Sequence, residues 1–373
     1  MPAKNVMHQY MLQEPELLLE LLRSQEAEAA ALVAFDSIKK LVIVGHGSSY
    51  NAARTIGPLF QRWAGIAVEV FLPDPLLWGD RPVNLGPVGE TLVLAISQTG
   101  TSRGVLDLVF EIRKAGYGVL ALSEHQSTEL ALASDYAVAL GCGPEDSNAK
   151  TKGYVCTLYA LLKLAMGAAA KRRILSPARM ESIGLEMRQM IDQILPIMEG
   201  VDLWLDQSGF FHDVNHVFFL GDGLNFGTAL EGQLKLMETL CLPTMVSDYT
   251  EFSHGMHRAV KKDSHLILLN SGGAYSNRMG KILTYLNQIT PHVLLLDSSG
   301  QAPAHDAVIQ LPAFDELESV LLHTTALHTL AASIPYRLGL DPNAPANDDF
   351  TRLMGTRGHA SPSPGDVRKK ERA

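Results

Sequence analysis

The chain has 373 residues and a formal net charge of -9, with 46% hydrophobic and 19% charged residues. That length suits two domains, and the composition is that of a globular protein with a sizeable core. The acidic balance argues against a nucleic-acid partner, whose phosphates call for a basic surface. Three cysteines without paired spacing (Cys142, Cys156, Cys241) offer neither a disulfide framework nor a cysteine zinc site.

The N-terminus lacks a basic region followed by an apolar core, and no apolar run approaches the ~20 residues of a membrane span. A cytoplasmic protein with no membrane partner is expected. Residues 7–37 carry a helical pattern with Pro15 near the start of a Leu-rich stretch, read as a packing or oligomerisation hairpin.

Leu41-Val42-Ile43-Val44 is a short apolar run closed by Gly45-His46-Gly47-Ser48-Ser49, the pattern of a buried parallel strand followed by a helix. The same unit recurs at 67–70, at 91–96 (followed by Ser97-Gln98-Thr99-Gly100-Thr101-Ser102), at 119–122 and at 136–140. Strands alternating with helices predict a parallel sheet covered on both faces. Residues 154–200 are helical in pattern. The first pattern then returns: 218–223 echoes 43–47, 266–271 echoes 94–97, 293–297 echoes 119–122 and 307–311 echoes 137–140. An internal duplication organises the chain. The expected division is a helical segment over 1–38, one α/β unit over 39–170, linking helices over 171–210, a second unit over 211–350 and a tail over 351–373. From about Gly358 the tail is polar with two Ser-Pro pairs, the composition of a disordered segment.

Ligands of parallel sheets bind beyond the carboxyl ends of the strands. Two turns there, Ser48-Ser49 and Ser97 to Ser102, put hydroxyls and helix-start N–H groups together, which makes an anion site. Alternatively these residues only cap helices. Neither turn has the Gly-Lys-Ser/Thr of a P-loop, and Gly45-x-Gly47 lacks the third glycine of a dinucleotide fingerprint, so a nucleotide is not expected. Glu231, Lys235 and Glu238 share one helical face, either as a solvated salt-bridge ladder or as partly buried groups with pKa values tuned for proton transfer. Glu251-x-x-His254-x-x-His257, in a stretch with loop character, has the wrong spacing for a zinc helix. No metal and no cofactor are expected.

Five motifs together resemble the sugar isomerase (SIS) superfamily in its duplicated form, as in the isomerase half of glucosamine-6-phosphate synthase and in Amadori-product deglycases. They are Gly47-Ser48-Ser49-Tyr50-Asn51, Ser97-Gln98-Thr99-Gly100, Ala149-Lys150-Thr151-Lys152, Ala229-Leu230-Glu231-Gly232-x-x-Lys235-x-x-Glu238 and Glu251-x-x-His254-Gly255. The resemblance implies an α/β fold of two flavodoxin-like SIS subdomains with parallel sheets. It implies that Ser48, Ser49, Ser97, Gln98, Thr99 and Ser102 hold a sugar phosphate. It makes Glu238 the base that moves a proton between the first two sugar carbons, with Lys235 in the same pocket. His254 would assist ring opening and proton transfer across the interface of a homodimer with shared active sites.

The departures are as informative. The synthase has an ammonia-generating domain with a cysteine at its second position, where this chain has Pro2 and few residues before the first strand. The synthase carries a catalytic lysine just after an Asp-x-Pro-Arg-Asn segment. Here the segment runs Asp341-Pro342-Asn343-Ala344-Pro345-Ala346-Asn347-Asp348-Asp349-Phe350 with no lysine near. Lys150 stands where the synthase has a serine near the sugar. Together these point to a deglycase, whose substrate already carries its amine. A simple aldose–ketose phosphate isomerase and a non-catalytic sugar-phosphate-binding regulator are the alternatives.

Overall fold

The computed structural model describes residues 5–77, 83–272, 276–302, 305–314, 317 and 319–356. The apolar runs form two five-stranded sheets in which the paired strands are parallel. The first holds β1 (Lys40–Val44), β2 (Ala67–Phe71), β3 (Thr91–Ile96), β4 (Gly118–Ser123) and β5 (Tyr136–Ala139) in the order β2-β1-β3-β4-β5. The second holds β6 (Val217–Leu220), β7 (Thr244–Ser247), β8 (His265–Asn270), β9 (Val293–Asp297) and β10 (Val308–Gln310) in the order β7-β6-β8-β9-β10. The two orders coincide when each sheet is counted from its own first strand. This is the flavodoxin-like order, so the duplicated α/β architecture holds.

Short helices α1 (Val6–Met11), α2 (Glu14–Arg23) and α3 (Glu26–Ala34) open the chain, three where a hairpin was expected. The first unit adds α4 (Ser48–Ala64), α5 (Pro73–Leu77), α6 (Arg103–Lys114), α7 (Glu129–Leu132) and α8 (Lys152–Arg172). Two helices, α9 (Pro177–Asp192) and α10 (Ile194–Ser208), lead to the second unit with α11 (Asn225–Leu240), α12 (Tyr249–His254), α13 (Met279–Leu286), α14 (Val320–Arg337) and α15 (Asp348–Met354).

Side chains alternate across each strand, and the alternation sorts them into layers. Leu41 and Ile43 face inward with Phe219, Ile267 and Leu294 of the other sheet, in one core filled by α4, α8, α11 and α14. Val42, Val44 and Val93 face outward under α6. Phe218, Leu220 and Leu266 do the same under α12 and α13. The halves are thus joined through a shared central helical layer. Helix α8 has 21 residues and is apolar enough to cross a bilayer by length and composition, which revises the expectation that no run comes near that length; 89% of its apolar window is buried inside the fold. Its Lys163 turns Nζ onto the Leu21 and Leu22 carbonyls at 2.9 Å each, capping α2 and holding the N-terminal helices to the core.

Two local expectations need correction. The segment read as loop around Glu251 and His254 is helical, because Asp248 accepts from the Thr250 and Glu251 amides at 2.7 and 2.9 Å and starts α12. Strand β7 went unseen, because it is four residues long, only partly buried and directly behind Pro243. The polar stretch from Gly358 lies outside the described residues.

Candidate active site

The site is assembled where α4 of the first half crosses α11 of the second. At Gly227 a Cβ would fall 2.3 Å from Thr55 Oγ1 and 2.4 Å from its amide nitrogen, so only glycine allows this approach. The crossing brings the serine-bearing start of α4 against the charged face of α11. Glu231, 1% exposed, accepts from Ser48 Oγ at 3.0 Å and Asn51 Nδ2 at 2.8 Å. Lys235 Nζ lies 3.6 Å from Glu231, and so does His328 Nε2 of α14, beyond ordinary hydrogen-bond length. Lys235 also donates to Glu238 Oε2 at 2.7 Å. The row Glu231–Lys235–Glu238 is therefore a buried relay ending at a partly open carboxylate, not a solvated ladder.

The charges of this row set one another. Burial pushes the Glu231 carboxyl up, but Lys235, His328 and the Asn51 amide outweigh it and hold it below the ordinary value. Burial pushes Lys235 down, while Glu231 and Glu238 outweigh it, so its ammonium is held above the usual lysine value. Glu238 goes the other way: burial raises it, and the attraction of Lys235 only partly offsets that. A carboxylate whose pKa is raised above the ordinary value and that faces a cleft is a stronger base than a solvated one.

Glu238 and Lys235 sit on one wall of a 430 Å³ cleft that also takes in Ser48, Ser49, Ser97, Gln98, Thr99, Ser102 and Lys150. Ser48 and Ser49 are the first residues of α4, whose N-cap, Gly47, brings no capping side chain. Ser102 is the N-cap of α6, and its hydroxyl also makes no capping bond. Two helix starts converge at the β1/β3 switch point, an arrangement of N–H groups and hydroxyls that can cradle an anion, with the Ser48 hydroxyl given to Glu231, Ser102 Oγ paired with His46 and the Arg103 amide given to the Thr356 carbonyl. A third helix start, that of α8, is already filled: Glu145 accepts from the Thr151 and Gly153 amides at 2.6 and 3.0 Å. The equivalent mouth of the second sheet carries acids instead, with Asn270 bonded to Asp297 and Asp222 nearby. Among the described residues the two copies have diverged at this mouth.

His254 is apart from this group. It is exposed at the end of α12 and does not line the cleft. His257 leans on the Phe252 carbonyl at 3.1 Å and borders a separate cavity. Among the described residues no group of His, Cys, Asp and Glu is arranged to hold a metal ion. Lys150 stands at the rim with Nζ on the Glu145 carbonyl. Sequence reasoning missed His46, Asn51, Glu145 and His328. Asn51 and His46 lay inside motifs already singled out; His328 lay on an apolar helix with no local signal.

The geometry is that of a duplicated α/β protein with a cleft at the seam of its halves. Residues 35–167 and 210–333 match the SIS domain, and the chain belongs to the SIS domain family. It is 25% identical over 351 residues to a glutamine–fructose-6-phosphate aminotransferase of Leifsonia xyli subsp. xyli, covering 90% of this chain and 56% of that protein. The chain spans little more than half the length of this relative. Its fold matches a Clostridium difficile 630 structure provisionally described as a phosphosugar isomerase, with TM-score 0.86, 23% identity and 94% and 99% coverage of the two chains. It also matches the C-terminal domain of the Francisella tularensis glucosamine-fructose-6-phosphate aminotransferase, with TM-score 0.83, 22% identity and 91% and 98% coverage. These two likenesses establish the fold.

Proposed function

We propose that this chain is a phosphosugar deglycase or deaminating isomerase, acting on a phosphorylated amino sugar or an Amadori adduct of the fructosamine-6-phosphate type. The observation that carries the reading is a raised carboxyl, Glu238, in the same cleft as an anion cradle, beside a lysine that is kept charged. An ammonium cannot attack a carbonyl to form an imine. Lys235 is held in that form by two carboxylates, and Lys150 is tied to a backbone carbonyl. A lysine imine is thereby disfavoured, which suits a substrate that brings its own nitrogen. The similarity to glutamine–fructose-6-phosphate aminotransferases points to the same class of phosphorylated amino sugar.

The cradle would hold the phosphate through Ser48, Ser49, Ser97, Gln98, Thr99 and Ser102. Glu238 would take a proton from the first carbon of the open-chain ketosamine. The enaminol so formed is protonated at the second carbon, which gives an imine at the first. Water adds to that imine and expels the amine, leaving an aldose phosphate. The ammonium of Lys235 would stabilise the enaminol oxygen as it gains charge. His254 would come from a second copy of the chain and serve ring opening. No cofactor enters the reaction. The test is a panel of phosphorylated fructosamines assayed for released amine and aldose phosphate. Turnover that survives Glu238→Gln would overturn the assignment of the base.

A further inference from the structure

We infer that His46 is the cation of the anion cradle and makes anion binding depend on pH, a role that rests on the phosphate-holding reading above. The cradle itself is neutral: Gly47, Ser48, Ser49, Ser97, Gln98, Thr99 and Ser102 supply hydroxyls, an amide and backbone N–H groups. A phosphate dianion gains most from a partner of full positive charge. His46 is the ionisable side chain on that part of the cleft wall. It lies in the Gly45-His46-Gly47 turn between β1 and α4, is exposed, and has Nδ1 3.2 Å from Ser102 Oγ.

The fold makes room for this ring. A Cβ on Gly104, in the first turn of α6, would fall 2.9 Å from His46 Cε1 and 3.6 Å from Nε2. The imidazole therefore packs against bare backbone at the start of α6, whose first amide, that of Arg103, donates to the Thr356 carbonyl at 3.1 Å. The other charged groups near it are few. Asp74 of α5 brings Oδ1 within 3.7 Å of the same point on Gly104. Lys235 and Glu238 stand on the α11 wall, paired with each other, and Lys150, Asp146 and the buried Glu145 also line the cleft. Lys235 is thus spent on the proton-transfer side, leaving the phosphate side to His46. Histidine changes its charge between about pH 5 and 8, so anion affinity would be highest at the acid end and fall as pH rises.

Sulfate tests this, because it remains a dianion across that range and adds no titration of its own. Its binding to the full chain is measured by calorimetry from about pH 5.5 to 8.5. The wild type should bind sulfate roughly five- to tenfold more tightly at the acid end, the size of one charged contact at a solvated site. His46→Gln should bind as weakly as the wild type at the alkaline end and show no slope. Ser102→Ala should bind more weakly at every pH and keep the slope, which shows that the slope belongs to the ring rather than to any damage in the cradle. A wild-type slope that persists in His46→Gln overturns the inference while leaving the cradle in place. A wild type that binds no sulfate at any pH overturns the cradle and the inference with it.

Discussion

Replacing Glu231 with Gln should be among the most destabilising conservative changes in the chain. The carboxylate is 1% exposed and is met by Ser48 at 3.0 Å, Asn51 at 2.8 Å and the Lys235 ammonium at 3.6 Å. At that separation the pair is worth about 4–5 kcal/mol with an effective dielectric constant near 20. Gln removes the charge and turns an NH2 group toward a hydroxyl or amide that already donates. Lys235 keeps Glu238 at 2.7 Å, which limits the damage. The expected loss is about 3 kcal/mol, at the lower edge of what breaking a buried pair costs. The effect has a sign in pH. Because Glu231 is held below the ordinary carboxylate value, its stabilisation is present above that value and fades as pH falls through the lowered one. Urea unfolding of both proteins near pH 7 and near pH 4 reads this directly, with the gap narrowing in acid. A gap under about 1 kcal/mol near neutrality, or one that does not narrow, would refute the buried-relay reasoning.

Glu238→Gln should lower kcat by about 10²–10⁴ with little change in KM, the usual worth of a general base. Its wild-type rate should rise with pH through a limb displaced above the ordinary carboxylate range, because the raised carboxyl must lose its proton to act, and the variant should lack that limb. Gly153→Ala should raise KM for the sugar phosphate roughly tenfold, since a Cβ there would fall 2.4 Å from Gln98 Cδ and push that side chain out of the cradle; an unchanged KM would show that Gln98 is not a contact. Mixing inactive Glu238→Gln and His254→Asn chains in equal amounts should restore about a quarter of wild-type activity if two copies share each site, as an isologous dimer requires. No recovery after co-refolding would contradict the shared site, and a fully active His254→Asn would place His254 outside the reaction.

Much of this was legible in the chain. Each strand run bounded by glycine or serine became a strand, since buried parallel strands are apolar throughout and need no alternation to be seen. The repeat of those runs exposed the duplication. The serine turns were readable because hydroxyls before a helix have a local chemical meaning. What stayed hidden was set by packing across the seam. Nothing local shows that Gly227 meets Thr55, and hence that Ser48 and Asn51 of one half would clasp Glu231 of the other. His328 lies on a helix buried throughout and carries no motif, yet it sits 3.6 Å from that carboxylate. The segment around His254 has the composition of a loop, and its helix depends on the single Asp248 side chain that caps it. Strand β7 was lost because a short, half-buried edge strand has a weak apolar signature.

The most direct test of deglycation at this cleft is turnover of a fructosamine-6-phosphate in deuterium oxide, followed by NMR. Amine and aldose phosphate should appear in equal amounts, with the second carbon of the sugar carrying either the proton Glu238 took from the first carbon or a deuteron exchanged onto Glu238 from solvent. Interconversion of free ketose and aldose phosphates with no amine released would contradict it.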